Sequence, residues 1–159
     1  MTTPVSWIEL IATGRTALIP PAPDSQPSQA AIRRTISTAY YAAFHALTAS
    51  NADVLAGTGA GQLPSEAFLR AYRGLNHGYA RTQLLQNRHL LSTNGRIFAD
   101  NFCQLQDERV QADYNPRVSF TPESAGVWLD KVEAASNDLL QTTQEERAAM
   151  ATLTLVRPR

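Results

Sequence analysis

The chain has 159 residues, 43% of them hydrophobic, and its 14 lysines and arginines balance its 14 aspartates and glutamates. This length and apolar content suit one domain with a single core, and the zero net charge means that any charged binding surface must be local. The single cysteine, Cys103, excludes an intramolecular disulfide and a multi-cysteine metal site. Because no run of about 18 apolar residues occurs and the N-terminal segment does not resemble a signal peptide, we expect a soluble cytoplasmic protein.

Helical periodicity and helix-capping residues recur along the chain, and no segment alternates apolar and polar residues for long enough to predict a strand. The sequence therefore predicts an all-α fold, a compact bundle of about five helices in a single domain over residues 1–159. The predicted helices cover residues 5–18, 28–50, 64–86, 97–114 and 122–141. A proline-rich linker, residues 20–27, follows the first helix, and a frayed C-terminal extension, residues 142–159, follows the last.

The second predicted helix contains the segment RRTISTAYYAAFHAL, residues 33–47. At about 100° per residue, Tyr40 and its apolar neighbours share one face, which we expect to pack in the core. Tyr41 and His45 lie one turn apart on the opposite face, together with Arg34. Such a pair could bind a phosphate or transfer a proton, and the alternative is a solvated or subunit-facing polar surface.

The third predicted helix lies in the part of the chain with the highest local positive charge, because residues 66–96 contain five arginines and one acidic residue. A helical projection places four basic side chains within roughly 80° of one another: Arg70, Arg73, His77 and Arg81. This basic face suits contacts with the phosphates of a nucleic acid. The alternative is a solvated face whose acidic partners lie on neighbouring helices.

The fourth predicted helix places an arginine on its apolar face. Phe98, Phe102 and Leu105 form an apolar line at helical spacing, and Arg109 falls on the same line. An unpaired buried charge costs several kcal/mol, so Arg109 needs a partner, and Asp113 lies one turn later. The pair is either structural or part of a binding site.

Two segments in this order, AYYAAFHAL on the second helix and LQDERVQADYNP at the end of the fourth, resemble the HEPN (higher eukaryotes and prokaryotes nucleotide-binding) family. They are similar to the bacterial branch with YYAxFHA-like and RxxADY-like motifs, and LNHGYARTQL resembles its middle segment. The resemblance covers a core of about residues 28–141. It implies a helical bundle that forms an antiparallel homodimer and acts in RNA cleavage, toxin–antitoxin or defence systems without a metal or other cofactor.

Nuclease members of this family carry an R-x(4–6)-H motif on the late helix. Arg109 matches the motif arginine, but positions 114–116, where the histidine belongs, read Tyr-Asn-Pro. Arg70 and His77 have the right spacing on the preceding helix instead, and His77 and His45 are the imidazoles left for proton transfer.

Two hypotheses follow from these observations. In the first, the chain is a homodimer that binds RNA or a nucleotide phosphate, with or without the activity of a toxin-type ribonuclease. In that hypothesis Arg109 holds the phosphate, Asp113 and Tyr114 orient it, and His77 or His45 transfers the proton. Further binding residues are Arg70, Arg73, Arg81 and Tyr41. In the second hypothesis the chain is a catalytically silent dimerisation module and accessory partner of a nucleotidyltransferase or another enzyme.

Overall fold

The computed structural model describes residues 4–57 and 65–157, and in these ranges the chain forms seven α-helices and one 3-10 turn, Arg88–Leu90. The helices are α1 (Trp7–Ala17), α2 (Gln29–Ala56), α3 (Glu66–Arg73), α4 (His77–Gln86), α5 (Thr93–Tyr114), α6 (Pro122–Gln141) and α7 (Gln144–Leu155). The described ranges contain no strand, which confirms the all-α prediction, but the helices outnumber those predicted. Among the same residues there is no helix with the length and apolar character needed to span a bilayer.

The stretch predicted as one helix over residues 64–86 contains two helices. α3 ends at its C-cap Gly74, Leu75 is buried, and Asn76 caps α4 by accepting the N–H of Tyr79 at 2.9 Å. Glycine is a poor helix former and asparagine a strong N-cap, so this short sequence favours a break. The prediction of one continuous helix over residues 64–86 is therefore wrong, and a helical projection that runs through the break does not apply.

Two other helices are longer than predicted. α2 continues past Ser50 to Ala56, with Ser50 and Asn51 fully buried in its last turns. α5 begins at Thr93 instead of Ile97, because Ser92 accepts the N–H of the third helical residue and so acts as N-cap. Packing in α2 and capping in α5 extend the helices beyond the limits that periodicity alone indicates.

The frayed C-terminal extension is also a wrong prediction for residues 144–155, which form α7. Thr143 and Glu146 form a reciprocal capping box, in which each side chain accepts the backbone N–H of the other residue, at 3.2 and 3.0 Å. Met150 and Thr154 are buried against the rest of the bundle. Capping and burial together order this segment.

α2 is the central helix and packs against α1, α3, α5, α6 and α7. Its core face is rich in small side chains, so that neighbouring helices approach closely: Ala39, Ala42, Ala43 and Ala46 are all buried. Tyr40 is fully buried on this face and contacts Phe102 of α5, with ring centroids 5.5 Å apart. The expectation that Tyr40 belongs to the core is therefore confirmed.

Arg33 of α2 forms hydrogen bonds to the C-terminal end of α5. Its guanidinium donates to the carbonyl oxygens of Ala112 at 2.8 Å and Asn115 at 3.1 Å, and also to that of Val118. These carbonyls lie in and just after the last turn of α5, where helix carbonyls lack partners and the helix dipole is negative. The contact holds the C-terminal turn of α5 beside the N-terminal half of α2.

Candidate functional site

The antiparallel contact between α2 and the end of α5 contains a surface pocket of about 410 Å³. α2 supplies four polar side chains and α5 supplies three: Arg33, Arg34, Ser37 and Tyr41 from the former, and Arg109, Asp113 and Tyr114 from the latter. Four of the residues predicted from the sequence, Tyr41, Arg109, Asp113 and Tyr114, thus line the same pocket.

Arg109 lies across the aromatic side chains of α2. Its Nε donates to Asp113 Oδ2 at 2.9 Å and one terminal nitrogen donates to the Tyr41 hydroxyl at 3.1 Å. The guanidinium carbon lies 5.7 Å from the Tyr40 ring centroid and 5.4 Å from that of Tyr41, within the range of cation–π attraction. The other terminal nitrogen has no protein partner among the described residues, so it is available to a ligand in the pocket.

Both carboxylate oxygens of Asp113 accept hydrogen bonds. Oδ2 accepts from Arg109, and Oδ1 accepts from the hydroxyl of Ser37 on α2. The side chains of Arg109 and Asp113 are only 22% and 25% exposed, so the pair is a partly buried ion pair joined to a buried hydroxyl. This arrangement fixes the direction of the Arg109 guanidinium, and it leaves Asp113 poorly placed to act as a free base.

The pocket is positively charged although the whole chain is neutral. Its lining contains three arginines, Arg33, Arg34 and Arg109, but only one carboxylate, that of Asp113. Arg33 is engaged by backbone carbonyls, whereas the exposed Arg34 has no ion-pair partner in the described part of the chain. A concave site with excess guanidinium groups and a free tyrosine hydroxyl proton is suited to an anion, phosphate in particular.

His77, at the start of α4, does not line this pocket but lies near it, with its ring centroid 6.4 Å from that of Tyr41. Its ring stacks on Phe44 with centroids 4.1 Å apart, and its Nδ1 shares a hydrogen bond of 2.5 Å with the Tyr40 hydroxyl. Burial and, to a smaller extent, the charge of Arg109 lower the pKa of His77, so the imidazole is neutral near pH 7. Burial raises the pKa of Tyr40 well above its usual value, which keeps that hydroxyl protonated.

The neutral state of His77 predicts a loss of stability in mild acid. Because the unfolded chain takes up the proton more readily than the folded chain, the free energy of unfolding should begin to fall below about pH 6.5 and continue to fall down to the lowered folded pKa. His45, whose pKa burial also lowers, adds to this effect. We expect the melting temperature to decrease less between about pH 7 and about pH 5 in His77→Asn than in the parent chain.

The exposed His89 gives the matched control for this prediction, since His89→Asn removes an imidazole that lies outside the core. Its melting temperature should follow the parent across the same pH range. An equal acid sensitivity of His77→Asn and the parent chain would show that His77 is not the group responsible.

The remaining predicted residues lie elsewhere. His45 bonds to the Tyr72 hydroxyl of α3, and Arg81 pairs with Asp107 of α5 at 2.7 Å. Arg70 and Arg73 line a different surface pocket, of about 630 Å³, together with Glu66, Ala67 and Gly74. Arg81 does not line that pocket.

Two residues of the pocket, Arg33 and Ser37, were not predicted as site residues. Arg34 was predicted only to lie on a polar face. Ser37 and Arg34 precede Tyr41 by four and seven residues, the spacing of one helical face, and this signal was present in the sequence. Arg33 carries no such signal, because its partners are backbone carbonyls near the end of another helix.

Searches against protein-family models, curated proteins and solved structures give no match to this chain. Within residues 4–57 and 65–157, no three histidine, cysteine, aspartate or glutamate side chains are grouped closely enough to hold a metal ion. The functional assignment therefore depends on the pocket itself.

Proposed function

We propose that this protein binds a phosphate group of RNA or of a nucleotide in the pocket between α2 and the end of α5. The observation that carries the proposal is the state of Arg109, whose guanidinium is oriented by Asp113 and Tyr41 while one terminal nitrogen stays without a protein partner. Arg34 supplies a second positive charge at the same pocket. A guanidinium fixed in advance binds an anion with little further ordering cost.

The resemblance to the HEPN family supports this proposal from a separate direction. The two segments that carry the resemblance, AYYAAFHAL and LQDERVQADYNP, contribute Tyr41 on one side of the pocket and Arg109, Asp113 and Tyr114 on the other. A homodimer, and a toxin–antitoxin or nucleotidyltransferase partner, are further parts of the proposal that the resemblance implies. A cytoplasmic location is the expectation that the sequence itself gives.

Binding is better supported than cleavage. Attack by a ribose 2′-hydroxyl on the adjacent phosphate needs a proton acceptor within reach of the bound ligand. Asp113 is engaged on both oxygens, and His77, whose Nδ1 is bonded to the Tyr40 hydroxyl, does not line the pocket. We therefore propose Arg109 as the phosphate-binding group and Asp113 as its positioning residue, and we do not assign His77 or His45 a catalytic role.

A comparison of two exposed arginines tests the proposal. Arg34→Ala removes a charge from the pocket, whereas the matched Arg73→Ala removes one from α3. We expect Arg34→Ala to weaken binding of a short labelled oligoribonucleotide about tenfold and to reduce the salt dependence by about one phosphate contact. Fluorescence anisotropy at several salt concentrations measures both effects.

The Arg73→Ala variant should bind within about twofold of the parent, because a single surface charge away from the site contributes little. Equal losses in the two variants would indicate diffuse electrostatic binding. A larger loss in Arg73→Ala would place the site on α3 and contradict the proposal.

A further inference from the structure

Tyr114 is a largely exposed aromatic side chain at the end of α5. Its exposure is 72%, the highest of the exposed large hydrophobic residues, and among the described residues it forms no hydrogen bond or ring contact. It nevertheless lines the same pocket as Arg34, Arg109 and Asp113. A single exposed aromatic residue is ordinary, but one beside an unpaired guanidinium in a basic pocket presents a ring on which a ligand can stack.

The backbone that carries Tyr114 is fixed although its ring is exposed. Arg33 binds the carbonyl oxygens of Ala112 and Asn115, which lie on either side of Tyr114 in the sequence. The Asn115 side chain in turn donates to that of Gln111 at 2.6 Å. The ring is thus presented from a stable helix end, which limits the conformational entropy that a stacked ligand has to remove.

The size of the pocket also exceeds the needs of a phosphate ion. Its volume of about 410 Å³ lies in the range of pockets that hold complete small molecules, of which a phosphate fills only a part. Proteins that bind single-stranded nucleic acids combine these two elements, a cationic contact to the phosphate and an aromatic ring on which a base stacks.

We propose that Tyr114 stacks on an unpaired nucleobase next to the phosphate held by Arg34 and Arg109. The inference rests on the proposed phosphate site and narrows its ligands to a nucleotide or a single-stranded RNA segment. A base inside a duplex is already stacked on its neighbours and does not offer a free face to Tyr114. Tyr114 is then a specificity-determining residue that selects base-bearing phosphates.

The test compares AMP with ribose 5-phosphate, which carries the same sugar and phosphate but no base. By isothermal titration the parent chain should bind AMP about tenfold more tightly than ribose 5-phosphate. Tyr114→Phe should retain this preference, and Tyr114→Ala should lose it while ribose 5-phosphate binds as before. The control is Val110→Ala, which shortens an exposed side chain one turn earlier on α5 and should leave the preference intact.

Titrations with a short single-stranded oligoribonucleotide and with its duplex complete the test and distinguish a free nucleotide from an RNA segment as the source of the base. Tyr114→Ala should weaken binding of the single strand, and the duplex should bind more weakly than the single strand in the parent chain. Equal affinities for AMP and ribose 5-phosphate, or a preference that survives in Tyr114→Ala, would overturn the stacking role alone. Failure of every probe to bind would overturn the phosphate site and this inference with it.

Discussion

Replacement of Arg33 by methionine is expected to lower the free energy of unfolding by at least about 3 kcal/mol, because hydrogen bonds to a charged group contribute about 1.5 to 3 kcal/mol each and several are lost together. Methionine keeps a long apolar side chain near Phe120, but it cannot donate to the carbonyls of Ala112, Asn115 and Val118. Those carbonyl oxygens would then depend on water for their hydrogen bonds, at a helix end that other residues partly cover. Urea unfolding followed by circular dichroism measures the change.

Arg34→Met is the matched control, because it removes the same charge from the adjacent residue, which is exposed and makes no hydrogen bond with the described residues. Its free energy of unfolding should change by less than about 0.5 kcal/mol. A loss below about 1 kcal/mol in Arg33→Met would mean that the carbonyls find other partners and that Arg33 does not hold the end of α5.

Arg109→Gln is expected to weaken binding of AMP or short RNA at least about thirtyfold while lowering the free energy of unfolding by only about 1 kcal/mol. The effect on binding is larger because the ligand loses a charged, oriented hydrogen-bond donor. The effect on stability is small because Asp113 keeps its hydrogen bond from Ser37 and is 25% exposed to water. Thermal melts with and without AMP and isothermal titration follow the two effects separately.

The double variant Arg109→Gln/Asp113→Asn controls for the ion pair. Removing both partners should restore much of the lost stability, because no uncompensated charge is left, but it should not restore binding. A large loss of stability in Arg109→Gln that the second change rescues, together with no ligand-dependent shift in the parent chain, would show a purely structural pair.

The position of Arg109 could be predicted because helical periodicity is a local property. The spacing from Phe98 and Phe102 placed Arg109 on an inward-facing line, and the structure shows it against the rings of Tyr40 and Tyr41. Asp113, one turn later, is its ion-pair partner, as the charge argument required. The separation of core Tyr40 from pocket-lining Tyr41 follows from the same periodicity.

Interactions between distant segments could not be predicted in this way. The contact of Arg33 with the end of α5 and the bond between Tyr40 and His77 depend on how helices pack, which one sequence does not reveal. The prediction of one helix over residues 64–86 failed for a local reason, since Gly74 ends one helix and Asn76 caps the next.

The most direct measurement of the central claim is the NMR signal of the Arg109 Nε–H group, which donates to Asp113 and is identified by its disappearance in Arg109→Gln. Titration with AMP should shift this signal saturably, with the same dissociation constant as isothermal titration gives, while the Nε–H signals of Arg70 and Arg73 stay in place. An Arg109 signal that does not move while AMP binds, or saturable shifts confined to Arg70 and Arg73, would contradict the assignment of the pocket between α2 and α5 as the phosphate site.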